Sequence, residues 1–134
     1  MSGGARAAEQ SFLAFDFGVR RVGVAGGSLV LRQARPLKTI AAEGDARFAA
    51  IAALIAEWQP DALVVGVPFH PDGAEHDNTH RARRFARQLH GRFKLPVHEV
   101  DERYTTTEAR AAGAADLDAA SAALILDQFF REMP

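Results

Sequence analysis

Apolar runs separated by turn-forming residues occupy the first third of the chain, and this pattern predicts three β-strands. Two apolar runs, at residues 12–17 and 21–26, are joined by a short turn at Gly18, which is typical of a β-hairpin. A third and less regular strand is expected within residues 30–40. Pro36 interrupts it, and because proline cannot donate a backbone hydrogen bond, this strand should lie at an edge of the sheet or contain a bulge.

After the third strand, the hydrophobic period becomes that of an α-helix. Helices are predicted over about residues 45–59 and 78–90, with Gly91 ending the second. A short helix should begin at Thr105, which opens a capping-box pattern, and a last helix should cover about 118–131. The expected buried positions are Phe48, Ile51, Ala52, Ile55 and Trp58 in the first helix, Ala82, Phe85, Ala86 and Leu89 in the second, and Ala122, Ile125, Leu126, Phe129 and Phe130 in the last.

Two more strands alternate with these helices and complete the predicted fold. Residues 62–67 are apolar without interruption, as in a strand covered on both faces, and residues 96–100 form a fifth strand. The first three strands can form an antiparallel meander, whereas the later strands need helical crossovers and therefore run parallel. We predict an α/β fold with a five-stranded mixed sheet and helices on both faces, a single domain over 12–134 after a flexible N-terminus at 1–11.

Composition narrows the class of protein without revealing its function. The chain has 134 residues, a net charge of −1 and no cysteine, so disulfides and thiolate chemistry are excluded. The near-neutral charge gives no overall indication of a nucleic-acid or membrane partner. Residues 1–11 lack the apolar segment of a signal peptide, and no apolar run approaches the ~20 residues of a membrane helix. We therefore expect a cytoplasmic protein that does not bind membranes.

Four acidic residues from distant parts of the chain form the first candidate site. Asp16 lies inside the first apolar run, where a carboxylate is costly unless it is paired or binds a metal. Asp101 and Glu102 follow the fifth strand, and Asp118 opens the last helix. The carboxyl ends of parallel strands meet at one edge of such a sheet, where ligands usually bind. Gathered carboxylates without cysteine favour Mg²⁺ or Mn²⁺, which suggests phosphodiester hydrolysis.

Each of these acids also has an ordinary structural explanation. Asp16 would cap the turn at the end of its strand. Asp101 and Glu102 would form a turn pair with Arg103. Asp118 would gain ~0.3–1 kcal/mol from the dipole of the helix that it begins. Only Asp16 carries a strong signal by itself, so the metal site depends on the other three acids reaching it.

A basic segment forms the second candidate site. Six cations and no acid lie within residues 80–94, and Arg84 and Arg87 share a helix face opposite Phe85 and Leu89. Such a stripe would neutralise phosphates of a nucleic acid, although most charge runs are simply solvated helix faces. Further positive charge beside the acidic site would come from Arg20, Arg21 and Arg103. The cations of the segment are Arg81, Arg83, Arg84, Arg87, Arg92 and Lys94.

Taken together and in this order, the motifs of the chain resemble those of the YqgF/RuvX family. The first-strand Asp-Phe-Gly combined with the later Asp-Glu-Arg is specific, whereas either motif alone is not. The resemblance spans residues 12–131. The motifs are Asp16-Phe17-Gly18-x-x-Arg21-x-Gly23-Val24-Ala25, Val65-Gly66-Val67-Pro68 with Asp72-Gly73, Asp101-Glu102-Arg103-x-Thr105-Thr106-x-Glu108-Ala109, and Asp118-x-x-Ser121-Ala122.

The resemblance implies an RNase H-like fold with RuvC-like topology and a Mg²⁺- or Mn²⁺-dependent endonuclease. It further implies maturation of the 5′ end of 16S rRNA, with pre-16S rRNA and ribosomal particles as partners. Asp16 and Asp118 would be catalytic metal ligands, with Asp101 or Glu102 as the third. The nucleic-acid backbone would be positioned by Arg21, Arg81, Arg84, Arg87 and Arg103.

Which of Asp101 and Glu102 reaches the metal stays open, because alternation along a strand puts them on opposite faces. The resemblance also implies a longer, basic and glycine-containing loop between Ala109 and Asp118, which is short in this chain; a true deletion there would weaken the expectation of substrate binding.

Three other functions are alternatives to this interpretation of the sequence. A Holliday junction resolvase acting on branched DNA would need a homodimer with two facing sites, since resolution requires paired cuts. A non-catalytic RNA-binding ribosome assembly factor would retain the basic surface alone. An actin-like phosphate binder also begins with Asp-x-Gly, but that fold needs two such domains. The sequence does not distinguish a monomer from a homodimer.

Overall fold

The structure is a computed structural model that describes residues 9–102 and 116–133. The helix expected to begin at Thr105 and the shortened segment before Asp118 fall largely outside these ranges. In chain order the described elements are β1 (Ser11–Phe17), β2 (Val22–Ser28), β3 (Gln33–Ile40), α1 (Gly44–Trp58), β4 (Ala62–Val67), α2 (Asp77–Phe93), β5 (Val97–Asp101) and α3 (Leu117–Glu132).

The five strands form one mixed sheet in the order β3-β2-β1-β4-β5. β1 pairs antiparallel with β2, and β2 with β3, whereas β1, β4 and β5 are mutually parallel. The expected meander followed by parallel strands is therefore confirmed. Pro36 lies in the edge strand, at a register shift where Val24 pairs with Lys38 and Ala25 pairs with Pro36. The missing backbone donor is thus accommodated by both an edge position and a bulge.

Side chains of β1 alternate between two cores, one on each face of the sheet. Leu13 and Phe15 pack with the buried residues of α1 and α2. Phe12 and Ala14 pack with the buried residues of α3 on the opposite face. Helices therefore cover both faces, as predicted. The period of two puts Asp16 on the face of Phe12 and Ala14, so its carboxylate lies on the α3 side.

The buried face of α1 differs from the one predicted. Leu54 is buried in place of Ala52, which is exposed, and Trp58 is 42% exposed at the end of the helix. Phe48 and Ile51 are buried as expected. The strip that contacts the sheet follows steps of three residues from Phe48, so that Ala52 lies on the outer side of the helix.

The end of α2 also differs from the prediction. The helix continues through Gly91 to Phe93, and Lys94 is the residue that adopts the left-handed conformation, with φ 61°. The Lys94 N–H donates to the carbonyl of His90 at 2.9 Å, which caps the last turn. Gly91 is therefore an interior helix residue rather than a cap.

Replacing Gly91 by alanine should raise the free energy of unfolding by about 1 kcal/mol, because glycine in a helix interior loses more backbone entropy than alanine. A Cβ atom at Gly91 would have no heavy atom within 4 Å. Urea unfolding of Gly91→Ala measures the gain. Gly44→Ala is the matched control, since its Cβ is equally uncrowded but φ is +59°. That variant should lose stability, and equal gains in both would contradict the explanation.

No helix within residues 9–102 and 116–133 is long and apolar enough to span a membrane.

Candidate active site

The carboxyl ends of the three parallel strands bring two acids to the same edge and face of the sheet. Asp16 pairs with Gly66 of β4, and Gly66 pairs with Val100 of β5. Glu102 follows β5, and its N–H donates to the carbonyl of Val67 at 3.1 Å, which continues the ladder beyond the strand. Because Val100 packs in the α3-side core, the period of two turns Glu102 toward that side as well. Register alone therefore explains why Glu102 meets Asp16.

Glu102 is buried against Asp16, and this contact changes its protonation. Burial, which disfavours the ionised form, is the largest cause that raises the pKa of Glu102 to about 8. The negative charge of Asp16, a side-chain hydrogen bond to Asp16 and the negative charge of Asp101 act in the same direction. These effects favour the protonated form of Glu102, which can donate a hydrogen bond to the carboxylate of Asp16.

Gly66 provides the space for this pair. A Cβ atom at Gly66 would lie 2.7 Å from Oε2 of Glu102 and 2.3 Å from Cδ1 of Ile125. Both distances are shorter than non-bonded atoms allow. The glycine of the Val65-Gly66-Val67-Pro68 motif therefore allows an acid and a core side chain of α3 to lie directly on the strand.

The third acid, Asp118, lies in the first turn of α3, and two contacts set the position of that turn. Asp116 is the N-cap residue and accepts a hydrogen bond from the N–H of Ala119 at 3.1 Å and another from the hydroxyl of Thr39 on β3. The backbone of Asp118 packs on Gly23, where a Cβ atom would lie 1.8 Å from the Asp118 carbonyl oxygen. Gly23 is the partner of Asp16 across the β1–β2 ladder. The start of α3 therefore lies one strand away from Asp16.

The side chain of Asp118 pairs with Arg21 rather than with the other acids. Its Oδ2 lies 3.0 Å from Nε of Arg21, and the two side chains are 31% and 64% exposed. They line an open cleft of about 580 Å³ with Gly18, Val19 and Arg20. Within the described part of the chain, no three His, Cys, Asp or Glu side chains are grouped so that they would hold a metal ion. The structure thus brings Asp16 and Glu102 together, whereas the side chain of Asp118 pairs with Arg21.

The chemistry of the Asp16–Glu102 pair fits a hard divalent cation. Both side chains offer only oxygen ligands, which Mg²⁺ and Mn²⁺ prefer. Burial and the negative charge of Asp16 both raise the pKa of Glu102, and a cation bound by the two carboxylates would offset their repulsion. Asp101 adds negative charge nearby, whereas its carbonyl accepts a hydrogen bond from Gln128 at 2.9 Å.

The raised pKa of Glu102 predicts how the stability of the metal-free protein depends on pH. Between pH 4.5 and about 8 the folded state binds a proton that the unfolded state has released. The free energy of unfolding should therefore be highest below pH 4.5 for this group and fall as the pH rises to about 8. Urea unfolding in chelator at several pH values measures the slope. Glu102→Gln should flatten it, whereas Glu57→Gln, at an exposed position of α1, should not. Identical slopes for both variants would contradict the prediction.

The basic segment of α2 divides into paired and exposed cations. Arg83 lies 2.6 Å from Glu75 and 3.3 Å from Glu99, and Arg92 lies 3.7 Å from Asp45. These acids belong to other parts of the chain, so the sequence of the segment did not reveal them. Three arginines are exposed and form no ion pair within the described residues; they are Arg81, Arg84 and Arg87. Arg103 lies outside the described residues.

One buried arginine near the site was missed at the sequence level. Arg47 of α1 is 5% exposed, donates to the carbonyl of Ala42 at 2.8 Å and of Val19 at 2.9 Å, and stacks over the ring of Phe17. Burial lowers the pKa of its guanidinium. Arg47 therefore ties α1 to the turn that carries Arg21. Its spacing of four residues from Ile51 on the buried strip was the available signal.

Comparisons with known proteins agree over nearly the whole chain. A family model described as RuvX, Holliday junction resolvase, matches residues 10–132. A protein of Albidiferax ferrireducens named "Putative pre-16S rRNA nuclease" is 69% identical over 124 residues, which cover 92% of this chain and 80% of that protein. A protein of Paraburkholderia phytofirmans with the same name is 54% identical over 128 residues, covering 90% of this chain and 88% of that protein.

Among solved structures, T. thermophilus RuvC in complex with a Holliday junction substrate shares the fold. The TM-score is 0.54 at 16% sequence identity, over 90% of this chain and 93% of RuvC. This likeness establishes the α/β RNase H-like architecture that the strand order indicates. With the family match and the relatives, it shows that the chain belongs to the RuvX family, a family of nucleases.

Proposed function

We propose that this protein is a divalent-metal-dependent endonuclease that matures the 5′ end of pre-16S rRNA during ribosome biogenesis in the cytoplasm. The observation that carries the proposal is the buried contact between Asp16 and Glu102 at the carboxyl edge of the parallel strands. Relatives as similar as 69% named for pre-16S rRNA support the choice of substrate.

Asp16 and Glu102 would hold a Mg²⁺ or Mn²⁺ ion, and Asp118 would join them after leaving Arg21. Glu102 rather than Asp101 is the favoured ligand, because it is Glu102 that contacts Asp16. When bound, such ions activate water and stabilise the charge that develops on the phosphate. The protein must first release the proton of the Asp16–Glu102 pair, so metal affinity should rise with pH toward about 8.

The exposed arginines would bind the phosphate backbone of the substrate. The first turn of α2 lies beside the carboxyl end of β4, because the Thr79 hydroxyl donates to the carbonyl of Pro68. Arg81 therefore lies toward the catalytic edge, and Arg84 and Arg87 continue along the helix for about 9 Å. Arg21 lies beside Asp118. With Arg103, these cations would supply the sequence-independent, salt-sensitive part of binding.

Branched DNA is the second candidate substrate, because the matching family is described as Holliday junction resolvase. Such an enzyme would cut both strands of a junction from two facing sites and would act as a homodimer. An enzyme that trims one end of an RNA needs a single site, so a monomer would suffice.

The test compares two substrates under the same conditions. One is pre-16S rRNA in immature ribosomal particles, and the other is a synthetic four-way DNA junction, each with Mg²⁺, Mn²⁺ or chelator. Metal-dependent cleavage at the 5′ end of 16S rRNA, with the junction intact, is the expected result. Paired cuts in the junction by a dimer would favour the resolvase. RNA binding without turnover under any condition would identify a non-catalytic assembly factor.

A further inference from the structure

Arg21 and Asp118 form an ion pair that competes with the proposed role of Asp118 as a metal ligand. Nε of Arg21 lies 3.0 Å from Oδ2 of Asp118. The carboxylate therefore already has a cationic partner, whereas Glu102 lies against Asp16. A metal ion that takes Asp118 as a ligand competes with Arg21 for the same carboxylate charge.

Only the side chain of Asp118 has room to change partners. The start of α3 is held by the contacts of Asp116 with Thr39 and by the close packing of Asp118 on Gly23. The carboxylate and the guanidinium, in contrast, are partly exposed at an open cleft. An exposed ion pair contributes little to stability, so small changes in the charge around it are enough to shift it.

A phosphate group is the ligand best able to take Arg21 away from Asp118. Guanidinium groups bind phosphate through two parallel hydrogen bonds, and these are stronger than a single contact through Nε. A phosphodiester in the cleft would therefore draw Arg21 from the carboxylate. The freed carboxylate of Asp118 would lose its cationic partner, and a metal ion would offset its repulsion from the other two acids.

We propose that Arg21 is a positioning residue that withholds Asp118 from the metal site until a nucleic-acid phosphate binds it. Metal and nucleic acid then bind cooperatively, and by thermodynamic linkage each increases the affinity of the protein for the other by the same factor. This inference rests on the proposed metal-dependent function. The ion pair between Arg21 and Asp118 would make Asp118 a metal ligand only after a phosphate has bound Arg21.

The first experiment titrates Mn²⁺ alone into the full chain by calorimetry and electron paramagnetic resonance. Arg21→Gln should bind Mn²⁺ about fivefold more tightly than Arg20→Gln, the upper range for an exposed ion pair. Arg20→Gln is the matched control, because Arg20 lines the same cleft and loses the same charge without an ion pair to Asp118 in the described structure. Equal affinity of the two variants, or weaker binding by Arg21→Gln, would overturn the proposal.

A double-mutant cycle separates two effects of Arg21 on Mn²⁺ affinity: its ion pair with Asp118 and the general repulsion between its positive charge and the metal ion. In an Asp118→Asn background, Arg21→Gln should change Mn²⁺ affinity no more than Arg20→Gln does. A fivefold gain that survives in this background would overturn the proposal, since the arginine would then act without Asp118. Circular dichroism confirms that each variant is folded, which is expected for exposed side chains.

The second experiment measures coupling with an RNA that cannot be cleaved. Its bridging 3′ oxygens are replaced by methylene groups, which keep the phosphate charge. In the native chain this RNA should tighten Mn²⁺ binding, and Mn²⁺ should tighten RNA binding equally. Arg21→Gln should lose most of this coupling while Arg20→Gln keeps it. Coupling that is absent in the native chain, or unchanged in Arg21→Gln, would overturn the proposal.

Asp16→Asn distinguishes failure of the inference from failure of the proposed function. If Asp16→Asn abolishes Mn²⁺ binding but Arg21→Gln matches Arg20→Gln, the metal site stands and the role of Arg21 is wrong. If the native chain binds no Mn²⁺ with or without RNA, both the metal-dependent function and the role of Arg21 are wrong.

Discussion

Asp16→Asn is expected to abolish metal-dependent phosphodiester cleavage while leaving the protein folded. The substitution keeps the shape of the side chain but removes the negative charge at the centre of the proposed site. Without this charge, the remaining ligands attract a divalent cation less strongly. The stabilisation of the transition state by the metal, worth several kcal/mol, is then lost. We expect cleavage to fall by at least about a thousandfold. The assay is cleavage of immature ribosomal particles in Mg²⁺ or Mn²⁺.

Although Asp16→Asn should lose activity, its free energy of unfolding should stay the same or rise slightly. Asparagine in place of Asp16 keeps an oxygen that can accept a hydrogen bond from Glu102 and removes a charge beside a buried side chain, so the free energy of unfolding should be unchanged or slightly higher. Asp45→Asn is the matched control, since this exposed carboxylate lies on α1, which packs against the opposite face of the sheet. It should retain activity. Native-like cleavage by Asp16→Asn would refute the site.

Gly23→Ala should disrupt both the fold around the start of α3 and the activity. The new Cβ atom would lie 1.8 Å from the carbonyl oxygen and 2.1 Å from the carbonyl carbon of Asp118, and 2.8 Å from the nitrogen of Ala119. These are backbone atoms, so no side-chain rotation relieves the overlap and the helix start must move. We expect a loss of about 3 kcal/mol in the free energy of unfolding. Urea unfolding measures it, and Mn²⁺ titration reports whether Asp118 still contributes.

Gly26→Ala tests whether the effect comes from this contact or from any glycine lost in β2. Gly26 lies in the same strand, but its Cβ would meet only side-chain atoms, the nearest being Cδ1 of Leu37 at 3.2 Å. A small shift of that leucine accommodates it, so the loss should stay below about 1 kcal/mol. Similar losses in both variants would contradict the role assigned to Gly23.

Short-range patterns were sufficient for the strands and for most of the helices. Residues 62–67 were predicted as a strand with the bounds that β4 has, because an unbroken apolar run depends only on neighbouring residues. The hairpin at Gly18 and the irregular edge strand at Pro36 follow from backbone restrictions of single residues. Gly91 shows the limit of such signals. A helix end also requires a residue that turns the chain, and Lys94 does so three residues later.

The candidate site itself was visible in the sequence only as a set of residue types. Asp16 was marked by its place in an apolar strand, and the acids expected to join it were named from their places after the fifth strand and at the start of the last helix. Which of Asp101 and Glu102 faces Asp16 depends on the β4–β5 register, a contact between segments far apart in the chain. The same is true of Arg83 and Arg92, whose acidic partners lie on other elements.

By itself, then, the sequence determined the order and kind of the elements, the family and the acids of the proposed site, because these depend on local patterns and on motifs. The tertiary structure decided the partners: Glu102 lies against Asp16, and Asp118 pairs with Arg21. The physical reason is that electrostatic interactions depend on distance and burial in space. Both are set by strand register and by the packing of α3 on Gly23, which no local pattern encodes.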